Sequence, residues 1–245
     1  MALHCMTTEL KHIFFDLDDT LTPSRTIMSA EHVPLFVQLC IKKDVIVVSG
    51  AQEAQIRRQL PQSIYFMLTQ NGNHAMRPDG TVMWSETFST NQIRSINAFI
   101  EKVRTTLDLR VRDPHDLVEY RGSQVSYSLI GHNAPLEEKR AFDPGAILRM
   151  KLLTEHAEEV STLRSAGIEI TAGGTTCFDM YLAGRNKGFN VKRLIEHEGW
   201  TIEDSVYVGD AIEKGRNDES VLGVLPTHAV VGPDDTFTFI REMIK

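Results

Sequence analysis

The chain has 245 residues, 42% hydrophobic and 24% charged, which suits one large or two modest globular domains and excludes a disordered or fibrous chain. Lys and Arg number 26 against 33 Asp and Glu, and the formal charge of −7 is opposite in sign to the basic footprint of a nucleic-acid binder. No stretch reaches the ~18–20 consecutive apolar residues of a membrane helix, so no membrane partner is expected.

Residues 1–10 hold His4 and Glu9 and lack the basic and apolar regions of a secretory signal; Cys5, Cys40 and Cys177 form no C-x-x-C pair. A cytoplasmic location with reduced thiols is expected. In chain order, residues 12–18 begin as an apolar strand and end in acid, and residues 44–50 repeat the pattern, ending in Ser49-Gly50. Such continuous apolar runs suit parallel strands covered on both faces. Between them, residues 30–41 have helical spacing, with Pro34 admissible only in the first turn. Residues 64–68 are predicted as a third strand, and Pro78-Asp79-Gly80 as a turn between Ala75-Met76 and Val82-Met83-Trp84.

From about Asn91 the pattern changes to a helix ending at Leu107, strands at 117–120 and 125–130, one long helix at 144–165, and strands at 168–172 and 177–182. Leu148, Leu152, Leu153, Val160 and Leu163 give the long helix one apolar face, and Gly167 stops it. After Gly184 the βα alternation returns: a helix at 189–198, strands at 205–209 and 229–231, and a terminal helix from about Asp235. The expected fold is α/β: a doubly wound parallel-sheet core, residues 1–84 and 185–245, interrupted by an α+β cap, residues 85–184.

The chemistry concentrates at strand ends. Asp16 and Asp18 follow the first strand, where open α/β sheets bind ligands, and residues two apart in extended chain face one side. Two such carboxylates repel unless a cation or a shared proton lies between them, although Asp also serves as a turn former. Gly209-Asp210 ends a later strand, followed by Asn217-Asp218, and Asp210 can complete a hard-cation site with Asp16. Ser49 and Lys187 supply a hydrogen-bond donor and a positive charge, which phosphoryl transfer to a carboxylate requires. The nine histidines show no zinc spacing, and the glycine-rich stretches match no dinucleotide or P-loop pattern.

In order, Asp16-x-Asp18-x-Thr20, Ser49, Lys187, Gly209-Asp210 and Asn217-Asp218 resemble the motifs of the haloacid dehalogenase superfamily. The resemblance implies Asp16 as nucleophile and Asp18 as general acid and base. It also implies Ser49 and Lys187 as phosphoryl contacts, and Mg²⁺ held by Asp16, the Asp18 carbonyl and Asp210, with Asn217 and Asp218 orienting that shell. The run from Asp16 to Arg25 is similar to the first motif of eukaryotic-type phosphomannomutases. Residues 119–121, 125–132 and 173–179 are similar to that family's cap. Arg25, Arg121 and Asp179 are thereby expected to meet a small phosphorylated substrate, and a homodimer through the cap is implied. The cap is also expected to close over substrate about residues 85–89 and 182–186.

This sequence departs from that pattern by placing His132 and Lys139 where further phosphate-binding arginines are expected, and Cys177 where a serine is expected. Lysine cannot form the bidentate fork of arginine, and histidine is only partly charged near neutrality. A mutase must hold a bisphosphorylated intermediate, whereas a hydrolase needs one phosphate site. The expectation from sequence is therefore a phosphatase acting on a sugar phosphate, with phosphomannomutase as the alternative and a non-catalytic ligand-binding protein as the third reading.

Overall fold

The computed structural model describes residues 9–62, 64–107, 109–214 and 216–245; His4, Cys5 and Gly215 lie outside the described residues. The chain divides into two compact units, residues 1–85 with 185–245, and residues 86–184. The first opens with β1 (His12–Phe15), α1 (Val33–Lys42), β2 (Asp44–Val48), α2 (Glu53–Gln59), β3 (Phe66–Thr69), β4 (His74–Met76) and β5 (Val82–Ser85). The second follows as α3 (Thr90–Thr106), β6 (Val118–Tyr120), β7 (Gln124–Ser128), α4 (Leu136–Phe142), α5 (Ile147–Glu155), α6 (Ala157–Ser165), β8 (Ile168–Gly173) and β9 (Cys177–Leu182). The first unit is completed by α7 (Lys187–Glu198), β10 (Ser205–Gly209), β11 (Thr227–Ala229) and α8 (Pro233–Met243).

The first unit has a seven-stranded sheet in the order β11-β10-β1-β2-β3-β4-β5. The strands from β11 to β3 pair in parallel, and the β4–β5 hairpin extends the sheet antiparallel at one edge. Alternate side chains enter two cores. Ile13, Phe15, Val45 and Val47 pack in one core with Phe36 and Leu39 of α1 and with Phe237 and Ile240 of α8. Phe14, Ile46 and Val48 pack in the other with Val191, Leu194 and Ile195 of α7. Burial on both faces explains why these strands read as unbroken apolar runs.

Helix α7 starts two residues before the sequence spacing indicates, because the Asn186 side chain caps it by accepting from the Phe189 N–H at 2.9 Å. It also lies close against the chain at residues 219–221: a Cβ on Gly188 would stand 1.8 Å from the Ser220 carbonyl oxygen. Gly188→Ala is expected to cost about 1–3 kcal/mol or more, read as a lower urea midpoint with an unchanged slope.

The second unit is α+β, with an antiparallel sheet in the order β6-β7-β9-β8. Val125, Tyr127, Phe178, Met180 and Ile170 pack with Phe99 and Val103 of α3 and with Val160 and Leu163 of α6. The alternate residues, Ser126, Ser128, Cys177 and Asp179, lie on the opposite, polar face. Two features differ from the sequence expectation. The single helix at 144–165 is broken at His156 (φ −104°, ψ 36°), whose ring Nε2 lies 3.1 Å from Thr106 Oγ1. The buried stripe of Leu152, Val160 and Leu163 continues across the break, so periodicity could not reveal it. Helix α4 was not expected, and none of its residues is buried, so it carries no apolar stripe. Among the described residues no helix is long and apolar enough to cross a membrane.

Candidate active site

The parallel register sets Phe15 beside Val208 on one side and Val47 on the other, aligning the carboxyl ends of β10, β1 and β2. Asp210, Asp16 and Ser49 follow those ends directly, at the edge where α/β sheets bind ligands. The Asp16 N–H continues the ladder to the Val208 carbonyl at 3.0 Å, and the Ser49 N–H to the Leu68 carbonyl at 3.0 Å. Lys187, the first residue of α7, donates through Nζ to Asp16 Oδ1 at 2.6 Å and to Asp218 Oδ1 at 2.7 Å. All three side chains are buried. Asp210 is held by Thr20, whose Oγ1 accepts from the Asp210 N–H at 3.0 Å while its hydroxyl donates to Oδ1 at 3.3 Å.

The charges of this cluster do not balance. Asp16, Asp210 and Asp218 each offer a carboxylate oxygen, all within 4.8 Å of one another, against the single buried ammonium of Lys187. Arg216 stands further off, 3.8 Å from Asp210, with its side chain half exposed. Burial, reinforced by the charges of Asp218 and Asp18, outweighs the ammonium and pushes the Asp16 carboxyl up to about 7. Burial and the Asp218 charge likewise raise Asp210. Burial works against the charge on Lys187, but its two carboxylates overcome this and hold its pKa above the usual lysine value. The buried Tyr207 hydroxyl lies beside the Asp218 carboxylate, whose Oδ2 stands 2.5 Å from the place a Cβ on Gly209 would take. Three clustered carboxylates against one buried ammonium, an excess of oxygen anions, fit a hard divalent cation.

Asp18 is half-buried, and its Oδ1 accepts from the Arg25 backbone N–H at 2.7 Å and from Gln59 Nε2 at 3.0 Å. Both of these donors meet Oδ1 and neither meets Oδ2. Gln59 is fully buried; it also donates to Thr22 Oγ1 at 2.8 Å and accepts from Gln55 Nε2 at 2.8 Å. Arg25 is exposed, with a left-handed backbone at φ 58°. Ser49 Oγ accepts from the Ala51 N–H at 3.1 Å, so its own hydroxyl proton can be offered to a ligand. Asn217 is exposed.

The remaining candidates form a separate group in the second unit. Arg121 pairs with Glu119 Oε2 through Nε at 3.1 Å and also through Nη2. Glu119 Oε1 lies 3.8 Å from the buried His132 Nδ1. His132 Nε2 faces the Ser126 carbonyl at 3.2 Å and so carries a proton, while Lys139 Nζ donates to the His132 carbonyl at 2.7 Å. Asp179 accepts from the Ser126 hydroxyl at 2.6 Å. Burial, reinforced by the Asp179 charge, pushes the Cys177 thiol up and keeps it protonated.

The structure thus brings Asp16, Lys187, Asp210 and Asp218 into direct contact or close range, with Ser49 on the adjoining strand end and Asp18 two residues beyond Asp16. Sequence reasoning did not single out Gln59 or Tyr207. A lone glutamine beside the exposed Arg57-Arg58 gives no local signal, and Tyr207 reads as one more apolar strand residue.

A doubly wound sheet with acids at the ends of β1 and β10, interrupted by an α+β unit, is the fold seen in haloacid dehalogenase-like hydrolases. A haloacid dehalogenase-like hydrolase from Bacteroides thetaiotaomicron superposes with a TM-score of 0.67 over 96% of this chain and 99% of its own, at 14% identity, a likeness of fold. The eukaryotic phosphomannomutase family matches residues 35–245, and the chain belongs to that family. Among its relatives, the phosphomannomutase of Saccharomyces cerevisiae is 27% identical over 246 residues, 95% of this chain and 94% of its own. Phosphomannomutase 1 of Dictyostelium discoideum is 24% identical over 240 residues, 94% of each chain.

Proposed function

We propose that the chain is a phosphomutase of hexose phosphates, acting in the cytoplasm, with mannose 1-phosphate and mannose 6-phosphate the pair its family membership favours. One observation carries the chemistry: the buried Lys187 bonded at once to Asp16 and Asp218, beside Asp210. Lys187 occupies Asp16 Oδ1, which leaves Oδ2 to attack the substrate phosphorus in line. A bond forms from Asp16 to phosphorus as the bond from phosphorus to the sugar oxygen breaks, and Asp18 gives that oxygen its proton. The phosphoryl group first taken is one of the two on a hexose bisphosphate, which leaves as a monophosphate. In the second half, the free hydroxyl of a hexose monophosphate attacks the aspartyl-phosphate, returns its proton to Asp18 and regenerates the bisphosphate. Lys187 and the Ser49 hydroxyl stabilise the charge on the phosphoryl oxygens.

Mg²⁺ is the cation we assign to Asp16 and Asp210, with the Asp18 carbonyl and Asp218 nearby; when bound it offsets negative charge on the transferring group. Asp218 orients Lys187. Residues 86–184 are assigned as the cap that sets specificity, with Arg121 and Asp179 as substrate contacts and His132, Lys139 and Cys177 beside them. A homodimer through this unit accompanies the proposal, and sedimentation velocity tests it.

The sequence preference for hydrolysis is kept as a second reading because of Glu119, which already pairs with Arg121 and stands near His132, leaving less positive charge for a distal phosphate. Phosphorus NMR separates the two. With Mg²⁺, mannose 1-phosphate and a catalytic amount of hexose 1,6-bisphosphate, the mutase yields hexose 6-phosphate without inorganic phosphate. Inorganic phosphate growing alone would make the chain a phosphatase.

A further inference from the structure

The chain beyond β3 passes through three successive left-handed residues, Gln70 (φ 55°), Asn71 (φ 60°) and Gly72 (φ 87°). Side-chain-bearing residues hold this conformation only where surrounding contacts enforce it. The contacts here come from two sides. Toward β2, the Asn71 N–H donates to the Ser49 carbonyl at 2.8 Å and the Gln70 N–H to the Ala51 carbonyl at 3.1 Å. Toward α7, Asn190 Nδ2 donates to the Asn71 carbonyl at 2.9 Å and Asn73 Nδ2 to the Arg185 carbonyl at 3.0 Å.

Asn190 is fully buried and lies one turn beyond Lys187 on α7. Its amide nitrogen also faces the carbonyls of Asn186 at 3.2 Å and Arg185 at 3.4 Å, which fixes the orientation of the amide, since carbonyls require a donor. Its Oδ1 has no partner among the described residues, so the side chain is held for its donor alone. The fit leaves no slack: a Cβ on Gly72 would lie 2.4 Å from the Asn190 Cβ. Through Asn71, then, the loop that carries the Ser49 hydroxyl is tied to the helix that carries the Lys187 ammonium.

We infer that Asn190 is a positioning residue for phosphoryl transfer, setting through Asn71 the placement of Ser49 relative to Lys187. This rests on the reading of Ser49 and Lys187 as phosphoryl contacts. A double-mutant cycle tests it, using the full chain with Mg²⁺, mannose 1-phosphate as probe and a catalytic amount of hexose 1,6-bisphosphate. Loss of mannose 1-phosphate is followed by phosphorus NMR, and kcat and KM are measured per folded molecule by active-site-independent calibration of the circular dichroism signal. Asn190→Leu and Asn190→Ala are each made in the wild-type and Ser49→Ala backgrounds, so that one folded variant of the two suffices.

The expected result is about a tenfold fall in kcat in the wild-type background with KM changed less than threefold, shrinking to less than twofold once Ser49 is alanine, because residues acting as one unit are not additive. An equal loss in both backgrounds, or no loss in the first, overturns the inference. Wild type that converts mannose 1-phosphate neither to hexose 6-phosphate nor to inorganic phosphate overturns the catalytic reading itself and the inference with it. The two failures are thereby told apart.

Discussion

Asp16→Asn is expected to abolish phosphoryl transfer, with a loss of at least about 10⁴-fold in kcat, because an amide oxygen does not attack phosphorus at neutral pH. The substitution is conservative for the fold. Asparagine has the same shape, its Oδ1 can still accept from Lys187 Nζ, and the ammonium keeps its 2.7 Å bond to Asp218. The melting temperature is therefore expected to move only a few degrees while Mg²⁺-dependent turnover of mannose 1-phosphate disappears. Activity that persists in this variant would remove Asp16 from the nucleophile's role and leave Asp18 or water as the attacking group.

The second large effect concerns stability and falls on Arg149, which is only 1% exposed. Its Nε donates to Asp143 Oδ2 at 2.8 Å, and its Nη1 serves the carbonyls of Gly173 at 2.6 Å, Gly174 at 3.2 Å and Cys177 at 3.0 Å. The guanidinium thus pins the turn between β8 and β9. Arg149→Met removes the donor to three carbonyls and leaves a buried carboxylate without its cation, and is expected to cost about 3–5 kcal/mol in urea unfolding. A loss below 1 kcal/mol would mean that water replaces the guanidinium.

The same pair predicts an acid limit. Burial alone would raise the Asp143 carboxyl, but the Arg149 hydrogen bond and the N–H groups of Leu148 and Arg149 outweigh it and hold the pKa below the ordinary aspartate value. A carboxyl depressed in the folded state stabilises the protein above its unfolded pKa, near 3.9 for aspartate, and that contribution is lost as pH falls through the folded value. Stability is expected to decline below about pH 4, and Arg149→Met is expected to flatten that part of the profile. An unchanged acid limb in the variant would assign the decline to other carboxylates.

The residues show how far local sequence reaches. Strands β1, β2 and β10 were legible because burial on both faces demands a continuous apolar run, and the acids that end them stand out by contrast. Asp16, Asp18 and Asp210 follow from that pattern alone. Lys187 was selected by its place in an ordered set of motifs, although its bond to Asp16 spans 171 residues.

What only the tertiary structure decided are pairings without a period. Gln59 reaches Asp18 across 41 residues, Asn190 reaches Asn71 across 119, and Arg149 reaches the β8–β9 turn across 24 to 28. The break at His156 was hidden because its apolar stripe runs on unbroken, and α4 was hidden because it has no stripe. Periodicity reports which face of an element is buried, and so the sequence by itself determined the α/β class and the strand-end acids. Which donor meets which acceptor depends on how the elements pack, and only the folded chain decides it.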